Sequence, residues 1–271
     1  MKSVSIEDAF QSAQSFVARE WRLLIPLAFA LLAVPQLAFN LLAPMELAPA
    51  MAKGDAQLVM AIFQKAPWLS PAAIVIQLIT LAGLLAVTAL ALVPRISVSE
   101  AISLGFRRLF VLVAALLLLS LAMLVLVTLI ATALELVHLL AGGQMLLLAV
   151  VAVIVMLALW IRLIALPAVI VASRAGPIAS IRLAWDLSAG AFWPLLGCTL
   201  IYAIGGQVVV LASTFVLGAV VVLLCKAAGA AALGPVLAIV VASLANALFW
   251  AGFNVLAVAF YRELGGSIRG V

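Results

Sequence analysis

Arg162 stands in the segment MLALWIRLIALPAVIV, an arginine among apolar neighbours. A charge set deep in a bilayer costs at least ~2.5 kcal/mol on insertion scales, so it needs a counter-charge, a water-filled cavity or a lipid headgroup. A guanidinium grips phosphate with paired hydrogen bonds, which makes Arg162 a candidate site for a lipid phosphate or another anionic ligand. The structural alternative is a span that ends near Arg162, with the side chain reaching the interface. Glu135 and His138 are three residues apart and share a helical face, the spacing of a polar relay or half a metal site; the alternative is a polar pair at the mouth of the molecule. Arg182 and Asp186, four apart, read as a surface ion pair or, with Trp185, as part of a headgroup-binding patch. Ser243, Asn246, Trp250 and Asn254 form one helical stripe, while Gln77 and Gln207 sit inside other apolar runs; these amides suit hydrogen bonds between helices or the lining of a transport path.

The rest of the chain limits what such residues can do. Of 271 residues, 69% are hydrophobic and 8% charged, with a mean hydropathy of +1.44. Runs of twenty or more apolar residues recur, each long enough to cross a hydrocarbon core of about 30 Å as a helix. They are continuously rich in Leu, Val and Ala, unlike the alternating strands of a membrane barrel. The expected fold is all-α and polytopic, a single integral membrane domain over 1–271. Its six spans fall near 23–43, 71–93, 109–131, 146–171, 193–217 and 236–260. The third and fifth runs are over-long, reaching Leu140 and Cys225, and must tilt, break or project; Gly142-Gly143 and Gly229 are the expected turns after them. The N-terminal twenty residues include Glu7, Asp8 and Glu20, so they do not read as a cleaved signal.

Three short amphipathic stretches precede the odd-numbered spans: SIEDAFQSAQSFVAREWR, SVSEAISLGFRR and PIASIRLAWDLSAGAFWP, beginning at residues 5, 97 and 177. Ser5 with Asp8 and Ser97 with Glu100 have capping-box spacing, and Pro177 suits a first helical position. The second span of each unit ends in a basic residue, Arg95, Arg174 or Arg262. The pattern predicts three pseudo-repeats, about 5–95, 97–175 and 177–263, each opened by an amphipathic helix lying on the membrane surface. Ten basic residues fall on the side of both termini and three (Lys53, Lys65 and Lys226) on the other, which predicts cytoplasmic termini. The net charge of +5 thus reads as membrane topology, with no nucleic-acid partner. A segment DAQLVMAIFQK in the first outer loop reads as a short helix on the membrane surface. Gly197, Gly205 and Gly206 read as sites of close helix packing.

Catalytic motifs are scarce. No Walker loop, dinucleotide fingerprint, nucleophile elbow or zinc-protease motif occurs. One histidine cannot build a multi-histidine metal centre, and Cys198 and Cys225 would lie roughly 40 Å apart along one helix, too far for a disulfide. No metal, cofactor or catalytic residue is expected.

Arg162 and Pro167 lead into GPIASIRLAWDLSAGAFW, with Trp185, Leu187, Gly190 and the pair Phe192-Trp193, and the chain closes with AVAFYREL. This resembles the membrane domain that accompanies some bacterial glycerophosphodiester phosphodiesterases, and the stand-alone multi-pass inner-membrane proteins that share it. The resemblance covers residues 162–194 and the C-terminal end. Where members of that family often carry an acid before the Gly-Pro, this chain has Ala172-Ser173-Arg174. The resemblance implies a bacterial inner-membrane protein without the phosphodiesterase barrel. Three functions follow as expectations: a non-enzymatic protein engaging membrane lipids, anionic ones included, or serving as an accessory subunit of a membrane complex; a transporter with a cavity around Arg162; and an intramembrane enzyme using Glu135 and His138.

Overall fold

Leu, Ala and Val dominate the long apolar runs, and in the computed structural model these runs are helices. The structure describes residues 6–44, 46–141, 145–173 and 175–266, and among them there is no strand. In chain order the helices are α1 (Ile6–Ala28), a π turn (Phe29–Ala33), α2 (Val34–Leu42), α3 (Leu47–Lys53), α4 (Ala56–Lys65), α5 (Leu69–Leu92), α6 (Val98–Ala141), α7 (Met145–Arg162), α8 (Leu166–Ala172), α9 (Pro177–Leu187), α10 (Phe192–Ala212), a second π turn (Ser213–Leu217), α11 (Gly218–Ala227) and α12 (Leu233–Glu263). They make six stretches long and apolar enough to cross a membrane.

Ser97 and Glu100 show why α6 starts where it does. The Ser97 backbone N–H and hydroxyl both donate to the Glu100 carboxylate (2.9 and 2.8 Å), and the Glu100 N–H donates to Ser97 Oγ (3.2 Å). This reciprocal cap satisfies donors that the helix itself cannot. The Ser5–Asp8 pairing lies outside the described residues. Asp55 accepts from Leu58 N–H (3.0 Å) and opens α4, the helix expected in the outer loop. Gly229 adopts φ +75° after α11, as a turn there requires; Gly142-Gly143 lies outside the described residues.

Two expectations change. The opening segments of the first two units are not separate helices: α1 runs through the π turn into α2, and α6 is unbroken for 44 residues, about 66 Å at 1.5 Å per residue. Pro26 and Pro35 flank the π turn of the first stretch and disturb it locally without ending it, whereas α6 contains no proline. The third unit alone has a detached opening helix, α9. The fourth span is also interrupted, at Leu163–Ala165, between α7 and α8.

Helix α5 stands at the centre. Its residues from Leu85 to Leu92 are buried on every side, packed against α1, α6, α8 and α12. Small residues bring the backbones together: a Cβ on Gly105 of α6 would meet the Ala82 carbonyl at 2.6 Å, and one on Gly83 would meet Leu31 Cβ at 2.7 Å. Arg262, at the end of α12, donates to the carbonyls of Ala91 and Leu92 (2.7 and 3.1 Å) and closes the C-terminus of α5. Nearly all of the core lies in the half of the bundle that holds the start of α1 and the end of α12, hereafter the terminal face.

Candidate functional site: an arginine stacked between aromatics at the terminal face

The site begins with the interruption of the fourth span. Pro167 has no N–H to donate and tolerates only the first turn of a helix, so α8 starts just before it. The carbonyls at the end of α7 are met by tightened bonds: Leu163 N–H donates to Leu159 and Trp160, and Ile164 N–H to Ile161 (3.3 Å). Ile161 points into the core and is fully buried, while Arg162, one residue on, is turned to the rim and half-buried. Its place in the last turn of α7 suits a cation.

Helix α9 supplies the opposing wall. Gly176-Pro177 starts it, and the turn Ser188–Gly190, with Gly190 at φ +87°, separates it from α10. Ser180, Ala184 and Ser188 face the bundle and are buried, with α9 packed on α6 and α8. The bulky side chains point the other way: Ile178 is 71% exposed, Trp185 42% and, just beyond, Trp193 75%. Small residues inward and bulky apolar residues outward is the arrangement of a helix that meets lipid.

These elements converge on Arg162. Its guanidinium carbon lies 5.1 Å from the centre of the Trp185 ring and 6.0 Å from that of Phe192. Stacking on two aromatic faces partly replaces hydration without using the guanidinium N–H groups. Among the described residues Arg162 makes no ion pair and donates no hydrogen bond, so its donors are free for an external acceptor. Phe192 was not singled out as a ligand contact in the sequence; it lies thirty positions from Arg162, a separation no helical period connects.

The other sequence-predicted residues do not gather here. Arg182 and Asp186 are both exposed on α9 and are not ion-paired, contrary to the expected bridge; holding two exposed side chains together gains little in a solvated setting. Glu135 is exposed on the distal part of α6, and the His138 side chain lies outside the described residues. Asn254 is buried and joins helices, its Oδ1 accepting from Thr88 of α5 at 3.4 Å and its Nδ2 donating to the Trp250 carbonyl at 2.8 Å. Ser243 is buried with its hydroxyl unpartnered, whereas Gln77, Gln207 and Asn246 are exposed. Of the three glycines expected in helix packing, Gly206 lies against Phe249, but Gly197 and Gly205 face open space.

Among the cavities formed by described residues is a cleft of about 480 Å³ between α10 and α12. Neither this cleft nor the pockets beside Phe10, Arg95 and Ser12 are lined by Arg162, Gln77, Gln207, Asn246 or Asn254. Among the described residues no three His, Cys, Asp or Glu side chains cluster as metal ligands would. Fold and site together define a multi-pass helical membrane protein. Compared with known proteins, the chain matches no family model, no curated protein and no solved structure.

Proposed function

We propose that this chain is a non-enzymatic protein of the bacterial inner membrane, with both termini cytoplasmic, which engages the phosphate of anionic phospholipids at the Arg162 site. In this reading it is a stand-alone counterpart of the membrane domain found with glycerophosphodiester phosphodiesterases. The observation that carries the proposal is the guanidinium of Arg162, unpaired among the described residues and lying over the rings of Trp185 and Phe192. A lipid phosphate would supply the missing acceptor, with Trp185 and Trp193 at headgroup depth. Arg182 and Asp186, nearby on α9, would tune which headgroup is accepted.

The test is native mass spectrometry of the full chain released from nanodiscs containing phosphatidylglycerol, with Arg162→Ala alongside. The wild type retains a stoichiometric phosphatidylglycerol that the variant binds about tenfold or more weakly, as expected for losing charge-assisted hydrogen bonds. Equal retention by both proteins would refute the assignment. A protein partner co-released without specific lipid would favour an accessory-subunit role instead.

A further inference from the structure

A pocket apart from the Arg162 site lies on the terminal face where α5 turns into α6. It is a cavity of about 440 Å³, open to the outside, and its polar lining comes from Arg95, Arg107, Glu100 and Ser103. Neither arginine is ion-paired or hydrogen-bonded through its side chain to another described residue. The Glu100 carboxylate, the opposing charge in the pocket, is already occupied by the N–H and hydroxyl of Ser97. Glu100 keeps its negative charge, so the two guanidiniums against one carboxylate leave the pocket one formal positive charge in excess. Arg95 further sits at φ +60°, a left-handed backbone region that is strained for a residue with a Cβ and that glycine would occupy freely. A strained position filled by an arginine ties that side chain to a task.

We infer that the Arg95–Arg107 pocket is a second binding site for a phosphate-bearing anion, separate from Arg162 and independent of it. Basic pockets between spans at a membrane surface take phospholipid headgroups, and this one opens at the level where the spans emerge. Two forked guanidiniums flanking one cavity match a phosphate oxyanion held from two sides. Val93, Ile96 and Leu104 line the rest and suit the glycerol and upper acyl region of a lipid. A free phosphate would satisfy the same charges without using this apolar lining.

The two sites are read separately by working in the full chain carrying Arg162→Ala. Binding of dioctanoyl phosphatidylglycerol, dioctanoyl phosphatidylcholine and inorganic phosphate is measured with and without Arg95→Gly and Arg107→Gln together. Loss of two charges near a membrane surface lowers phosphatidylglycerol affinity about thirtyfold, and Arg95→Gly, which relieves backbone strain, leaves the melting temperature unchanged or higher. Inorganic phosphate that competes and shows the same arginine dependence identifies the occupant as free phosphate; failure to compete identifies it as a lipid headgroup. Unchanged phosphatidylglycerol affinity in the double variant, or equally tight binding of zwitterionic phosphatidylcholine, would overturn the inference. Should the double variant fail to fold, Arg107→Gln alone, on an exposed side chain, is expected to weaken binding about fivefold.

Discussion

Helices α6 and α10 each belong to an over-long apolar stretch, and each changes character along its length. On α6, Ala101, Gly105, Leu109, Leu112 and Ala115 are buried at the terminal end, while Phe110 is 80% exposed and the apolar side chains from Leu116 to Leu129 are largely open. On α10, Leu195, Cys198 and Thr199 are buried, whereas Ile201, Ile204, Val208 and Val209 are exposed. The two differ in their start. A capped helix runs straight from α6's amphipathic opening into its span; the turn at Gly190 breaks the equivalent opening of α10 away as α9. The buried core is concentrated at the terminal face, and there the detached α9 brings Trp185 and Phe192 over the Arg162 guanidinium.

The contrast between the packed and open ends can be broken with single methyl groups. Gly105→Ala is expected to have the largest effect, because the added Cβ meets the Ala82 backbone. We expect a loss of about 1–3 kcal/mol in folding stability, measured by denaturant titration in detergent micelles. Asn254→Leu should cost less, about 0.5–1 kcal/mol, by removing the bond to Thr88 between α12 and α5; a double-mutant cycle with Thr88→Val isolates that coupling. Smallest is Gly205→Ala, on the open part of α10 with nothing within 4 Å of its Cβ. It should be neutral or stabilising by up to about 1 kcal/mol through helix propensity. If Gly205→Ala were as harmful as Gly105→Ala, the open end of α10 would have to be packed against something.

Sequence patterns expose the spans readily because length and hydropathy are local properties. The Ser97–Glu100 cap and the Pro177 start were equally legible, since each depends on residues a few positions apart. Continuity of α1 and α6 was not, because an amphipathic stretch looks alike whether it lies on a surface or extends a span; α6 has no proline to break it, and α1 absorbs Pro26 and Pro35 in a π turn. Arg162 stood out as a charge in an apolar run. Its stacking on Phe192 depends on how α7, α9 and α10 meet, which no spacing encodes. The Arg95–Arg107 pocket was hidden because those residues already had an explanation as topology-setting charges. Of Gln77, Gln207, Ser243, Asn246 and Asn254, which looked alike in sequence, Asn254 is the one that bonds to another helix among the described residues, because partner geometry rather than residue type decides it.

The central claim is that a lipid phosphate sits on Arg162, and the most direct measurement is a nitrogen–phosphorus dipolar recoupling experiment by solid-state NMR. Arginine-labelled protein in phosphatidylglycerol bilayers would be compared with Arg162→Gln, so that the difference spectrum isolates one guanidinium. If lipid phosphate occupies the site, this signal is dephased by lipid phosphorus at hydrogen-bonding range. A guanidinium signal from Arg162 that shows no phosphorus contact would contradict that occupancy.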